Sequence, residues 1–320
     1  MKNFILLGIA LVCITFSYAR KTSSTRLLYW NIQNGMWDGQ TDNYARFTQW
    51  VKNQQPDICV WCEAQKLYRS QTADREVETE QQCLERWKKL AKAYGHKYVR
   101  LSAHRDNYPQ LITSRYPIDM QKRIVGNGKD SIVSHGASWS VVKVNGKRLN
   151  IVTLHTWPQS FGFGIKDKKK REESARRCDG DRYRKMEMEY ICKETILRHP
   201  DANQEMWMMM GDFNSITPAD DNYYHQGKNA SAYLLHDYIL THTPYVDIIK
   251  HCHPDTPCLS TPHRRIDFVY LTTPLVDKVT RAETIWDDYT TPVRNKEKIS
   301  NFWHPSDHCP IIVDFNWNQP

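Results

Sequence analysis

Acids, amides and histidines recur in this sequence where apolar runs stop. Trp30-Asn31-Ile32 closes one run, Trp61-Cys62-Glu63 a second, Thr153-Leu154-His155 a third, and Met210-Gly211-Asp212-Phe213-Asn214 a fourth. Ser306-Asp307-His308 stands just before the last apolar run, and Asp267 interrupts Arg265-Ile266-Asp267-Phe268-Val269. A lone carboxylate inside such a strand is costly to bury without a partner. Carboxylates beside a carboxamide suit a divalent cation or an activated water; imidazoles suit proton transfer or a developing negative charge. Singly, each residue has an ordinary explanation. Asn31 can cap a turn, Glu63 can be a surface acid, and Thr217 can cap a helix starting at Pro218.

The elements that must carry these residues are legible. Leu27 to Ile32 reads as a buried strand, followed by a helix with Tyr44, Phe47, Trp50 and Val51 on one face. Ile58 to Trp61 is a second strand, and Leu84, Trp87, Ala91 and Tyr94 form a helical stripe stopped by Gly95. Ser138 to Val144 and Arg148 to Leu154 flank Asn145-Gly146, a strong hairpin signal. Met188, Ile191, Cys192, Thr195 and Ile196 form another stripe; Met206–Met210, Ile266–Leu271 and Pro310–Phe315 are strands. Hairpins mixed with packed helices favour an α/β sandwich with much antiparallel pairing.

Lys2, the apolar run Phe4–Phe16 and Ser17-Tyr18-Ala19 read as a signal peptide over residues 1–19, leaving 20–320 as one domain of a secreted or periplasmic protein. Removing Lys2 lowers the formal net charge from +8 to +7, which suits a polyanion or an anionic membrane surface. Setting aside Cys13 leaves an even number of cysteines, with Cys252 and Cys258 the favoured pair in an oxidising compartment. His251-Cys252-His253 with Cys258 offers zinc ligands as the lesser alternative, and Cys59 and Cys62 point to opposite faces of a strand. Asn229-Ala230-Ser231 is a formal glycosylation acceptor.

Taken in order, Trp-Asn-Ile, the strand-end Glu63, Ser114-Arg115-Tyr116-Pro117-Ile118, the strand-end His155, Gly-Asp-Phe-Asn, Arg-Ile-Asp-Phe-Val and Ser-Asp-His resemble the endonuclease/exonuclease/phosphatase superfamily from Leu27 to Phe315. That group includes DNase I, abasic-site endonucleases, neutral sphingomyelinases and inositol-polyphosphate phosphatases. The resemblance implies an α/β fold, a four-layer α/β/β/α sandwich of two packed sheets, with the strand ends converging in one pocket. It implies Glu63, Asn31 and Asp307 around Mg²⁺, with Mn²⁺ or Ca²⁺ also suited to oxygen ligands. Asp212 would activate the water and Asn214 would contact the phosphate. Asp267 would pair with His308, and His155 would be the second imidazole at the phosphoryl group or leaving oxygen. Tyr108, Arg115 and Trp157 complete the expected substrate contacts.

One departure concerns His155. Leu154-His155 followed by Pro158 looks like DNase I, in which an upstream glutamate supports the histidine; aligning Asn107-Tyr108-Pro109-Gln110 puts Gln110 at that place. The segment 157–171 holds Trp157, Phe161 and Phe163 and then Lys166, Lys168, Lys169, Lys170 and Arg171. It reads as a solvated loop, a nucleic-acid contact or a peripheral membrane contact. Three functions follow: a secreted phosphodiesterase acting on nucleic acid, which the basic balance favours; a sphingomyelinase-like or sugar-phosphate phosphoesterase; and a binding protein without chemistry. The complete set of acids and histidines argues against the third, and no obligate protein partner is evident.

Overall fold

The computed structural model describes residues 23–36, 40–69, 72–102, 108–294 and 302–319. The expected signal peptide and Asn107 lie outside the described residues. In chain order the strands are β1 (Ser24–Asn31), β2 (Ile58–Cys62), β3 (Tyr98–Leu101), β4 (Leu111–Ser114), β5 (Ile118–Ile124), β6 (Ala137–Val144), β7 (Lys147–His155), β8 (Trp207–Asp212), β9 (Tyr245–Asp247), β10 (Asp267–Thr272), β11 (Val279–Thr284), β12 (Val293–Arg294), β13 (Trp303–His304) and β14 (Ile311–Asn316). One six-stranded sheet runs β11-β14-β1-β2-β4-β3 and the other β5-β6-β7-β8-β10-β9, with β12 and β13 forming a small ribbon. Each large sheet is mixed, with one parallel pair, β1–β2 in the first and β7–β8 in the second.

Central strands buried on both faces require apolar residues throughout, which is why they read as continuous runs. Tyr29, Val60, Ile151, Met210, Val269 and Val313 fill the layer between the sheets. Their neighbours point the other way, as the two-residue period of a strand demands. Trp30 and Trp61 meet Phe47 and Trp87 from the helices Ala45–Gln54 and Glu80–Ala93. Trp207, Met209 and Phe268 meet Met188, Ile191 and Tyr238 from the helices Asp179–Glu194 and Leu234–His242. Helices thus cover both outer faces, giving the expected four layers.

Local signals account for several boundaries. Thr79 and Gln82 form a reciprocal capping box at the start of Glu80–Ala93. Asn145 and Gly146 take positive φ values of 50° and 77°, as a two-residue hairpin turn between β6 and β7 requires. The stripe expected through Ile196 is broken: the helix ends at Glu194, Thr195 leaves helical geometry, and Ile196–Arg198 is a short 3-10 turn. Gly211 makes no turn. It sits inside β8, where a Cβ would lie 2.1 Å from the Leu154 carbonyl oxygen, so glycine permits close approach of β7. Cys252 and Cys258 are not bonded, and the other cysteines among the described residues are also free thiols.

Candidate active site

Sheet register assembles one half of the site. His155 on β7 pairs with Asp212 on β8, and Asp212 pairs with Asp267 on β10, so three polar residues form a row across three strands. The other sheet contributes Asn31 at the end of β1 and Glu63 just beyond β2, where Glu63 adopts a left-handed φ of 55°. Asp307 and His308 enter from the segment before β14. Glu63, His155, Asp212, Asn214, Asp307 and His308 line one cavity of about 600 Å³, walled further by Tyr108, His135, Trp157 and Trp303.

Asp212 is the hub. Its Oδ2 accepts from Asn31 Nδ2 at 3.0 Å and lies 3.7 Å from His155 Nε2 and 3.8 Å from His308 Nε2. Its Oδ1 accepts the Asn214 backbone N–H at 2.9 Å. Burial, followed by the charge of Asp267, raises the Asp212 carboxyl to about 8 against the pull of His308. Asp267, fully buried, accepts from Tyr29 Oη and Ser260 Oγ, each at 2.7 Å, and stands 2.6 Å from His308 Nδ1. Asp212, Asp267 and His308 offer donor atoms within 4.8 Å of one another, as a metal site would. Asp267 is already engaged by three protein groups, and within the trio only the Asp267–His308 contact is a hydrogen bond, with Asp212 at 3.8 Å from the other ring nitrogen. Although burial opposes it, the Asp267 and Asp307 carboxylates hold His308 well above the usual histidine range, so it carries a proton.

His155 is the opposite case. Burial, with His135 and His308 adding repulsion, holds it well below the ordinary range, so the ring is neutral. The Tyr108 backbone is its one hydrogen-bonding support, and the Oε1 of Gln110 is buried without a hydrogen-bond partner. Gln110 Nε2 instead reaches the His135 carbonyl at 3.2 Å.

Several expected residues are placed differently from the sequence reading. Asn31 presents its amide nitrogen to Asp212 and, at 3.4 Å, to Glu63, because its oxygen accepts the Gln33 N–H; it is a donor here, not the neutral oxygen expected. Asn214, just beyond β8, takes a left-handed φ of 45°. An Asx-type turn onto Asp212 and a 3.0 Å bond from its Nδ2 to the Thr156 carbonyl bring it to the cavity. Arg115 is not brought to the site. Ser114 pairs with Ile58 at the far end of β2 from Glu63, and Arg115 faces Asp57 there. Thr217 does cap the 3-10 turn Pro218–Asp220.

The segment after His155 is more ordered than a solvated loop. Trp157 donates its backbone N–H to Glu187 and its indole N–H to the Phe161 carbonyl. Phe163 packs edge-on to Trp157 and stacks on Tyr183, and Asp167 caps a helix Lys168–Arg176. His135 and Trp303 were missed as cavity residues. His135 sits in a turn and Trp303 in a two-residue strand, so neither ends an apolar run that would mark it.

Known proteins share this architecture. An AP endonuclease from Archaeoglobus fulgidus is 15% identical, with 91% of this chain and 99% of that one covered and a TM-score of 0.57. A Neisseria 3' phosphatase bound to product DNA hairpin is 14% identical, with coverage of 92% and 100% and a TM-score of 0.57. The human Nocturnin catalytic domain is 12% identical, with coverage of 92% and 93% and the same TM-score of 0.57. Among curated proteins, no sequence relative matches. The Endonuclease/Exonuclease/phosphatase family model matches residues 28–308, from β1 to His308 and so across the whole acid and histidine set. With these acids and imidazoles gathered at the ends of two packed sheets, the chain belongs to that family, whose members are hydrolases acting on phosphoester bonds.

Proposed function

We propose that this protein is a secreted or periplasmic, divalent-metal-dependent phosphodiesterase that acts on nucleic acid. The carrying observation is the placement of the Asp212 carboxylate between two imidazoles and two amide donors on the cavity floor. A carboxylate titrating near 8 is a competent base for water, and the two amide donors fix its lone pairs. His308, protonated and anchored by Asp267, directs Nε2 toward the cavity, where it would donate to a phosphoryl oxygen as charge builds. Asn214 uses one amide hydrogen on Thr156 and keeps the other for the phosphate. His155, neutral, offers a ring N–H to the leaving oxygen.

The donor set fits a hard divalent cation. Burial, with the charge of Asp307, pushes Glu63 up; burial likewise pushes Asp307 up. Among the described residues no lysine or arginine lines the cavity to balance these acids and an incoming phosphate. Glu63 and Asp307 would hold Mg²⁺, with Mn²⁺ or Ca²⁺ suited to the same oxygens, and Asn31 would steady the Glu63 carboxylate. When bound, the ion supplies neutralisation of the phosphoryl oxygens.

Nucleic acid is favoured by the +7 balance left without Lys2, by the exposed Lys168, Lys169 and Lys170, and by Tyr108, Trp157 and Trp303 at the cavity, where bases can stack. A cavity of this size also accepts a phospholipid headgroup or a sugar phosphate, with 157–171 as the peripheral membrane contact. Turnover of plasmid DNA, sphingomyelin vesicles and a phosphomonoester, each with Mg²⁺ and with EDTA, tests the proposal. DNA cleavage lost in EDTA is the expected result. Cleavage of sphingomyelin alone moves the protein to the second reading, and inactivity on all three overturns both.

A further inference from the structure

His135 is a third histidine at the cavity, 4% exposed and absent from the trio of Asp212, Asp267 and His308. Its ring lies 4.5 Å from the His155 ring, tilted 37°, with Tyr108 at 5.1 Å and Trp157 at 6.1 Å. Its backbone is fixed from two sides. Gln110 Nε2 donates to the His135 carbonyl, while the preceding Ser134 gives both its N–H and its hydroxyl to Glu187 Oε1, at 2.7 and 2.6 Å. The other oxygen of Glu187 holds the Trp157 N–H at 2.8 Å. One fully buried carboxylate therefore clamps the loops on both sides of His155. His155 has no acid behind it: its ring meets only the Tyr108 backbone on the side away from Asp212, and Gln110, at the place of the supporting glutamate in DNase I, serves His135.

We propose that His135 is a positioning residue for His155, setting by ring contact an imidazole orientation that a hydrogen-bonded carboxylate would otherwise set. This rests on the reading that His155 serves the leaving oxygen. Glu187, through Ser134, holds the positioning ring in place. Ring packing suits this task, because it fixes orientation without the hydrogen bond that would raise the basicity of His155.

The test compares His135→Ala and His135→Phe on two substrates with Mg²⁺ present: a dinucleotide, whose alkoxide leaving oxygen builds charge that a ring N–H can hydrogen-bond, and bis(p-nitrophenyl) phosphate, whose leaving group needs no such donor. His135→Ala is expected to lose about 10-fold or more in kcat on the dinucleotide, with KM and turnover of the nitrophenyl ester changed by no more than about twofold. His135→Phe, which restores a ring, is expected to recover most of the loss. Equal losses on both esters, full activity of the alanine variant, or failure of phenylalanine to rescue each overturns the proposal. Should the parent hydrolyse neither ester, the phosphodiesterase reading has failed, and ring ¹⁵N shifts of His155, assigned with His155→Gln, decide the positioning role separately. They are expected to move toward tautomer-averaged values in His135→Ala and to hold in His135→Phe. Unchanged shifts in the alanine variant overturn the role.

Discussion

Asp212 and Asp267 stand directly opposite each other on β8 and β10, two carboxylates across one antiparallel pair, and His308 reaches both with its two ring nitrogens. Like charges directly opposed across strands repel. The arrangement persists because His308 and two hydroxyl donors hold the Asp267 carboxylate, while burial and the Asp267 charge raise the proton affinity of Asp212.

Asp212→Asn is expected to lower kcat by at least ~10³-fold while leaving the fold unchanged, since the amide keeps the shape but cannot take a proton. Turnover of DNA and a far-ultraviolet circular dichroism spectrum check both halves. Near-parental turnover would remove Asp212 from the role of base.

The same residue gives a stability prediction with a definite sign. A folded-state pKa near 8, against the ordinary 3.8, means that folding takes up a proton between those values. The contribution of Asp212 to stability is therefore fully present below about 4 and lost as pH rises toward 8. In EDTA, the melting temperature of Asp212→Asn relative to the parent should rise from pH 5 to pH 9. A constant difference would contradict the raised pKa.

Asp267→Asn removes the main charge that holds His308 above its usual range. The His308 ring proton, followed by NMR, should titrate at lower pH than in the parent, and kcat should fall about 10²-fold with its alkaline limb moved the same way. The stability supplied by protonated His308 is present below the ordinary histidine pKa and lost as pH rises through the folded-state value. In the variant that loss should be complete at a lower pH.

Glu63→Gln should weaken Mg²⁺ activation by at least ~10-fold, read as the Mg²⁺ concentration for half-maximal turnover. Arg115→Ala serves as the contrast, with kcat and KM both unchanged, because Arg115 lies at the opposite end of β2.

Gly211→Ala tests the close approach of two strands. A methyl group 2.1 Å from the Leu154 carbonyl must push β7 and β8 apart, at a cost of ~3 kcal/mol. A lowered melting temperature measures that cost. An unchanged one would mean that the strands tolerate side chains there.

The sequence by itself determined the layers and pointed to the residues on which the proposed chemistry rests. Continuous apolar runs such as Met206–Met210 require strands buried on both faces, and the stripes through Trp50 and Trp87 require helices over them. Polar residues at the ends of those runs announced Glu63, His155, Asp212 and His308, because packing alone does not place charge there. Tertiary structure decided everything set by register and by turns. Periodicity does not say which strands pair, so the row His155, Asp212, Asp267 and the removal of Arg115 from the site were not legible. It does not reveal that Asn31 turns its nitrogen to the acids, since that follows from the Gln33 N–H capturing its oxygen. His135 was invisible for the same reason. It ends no apolar run, and only the meeting of the loops held by Glu187 lays its ring against His155.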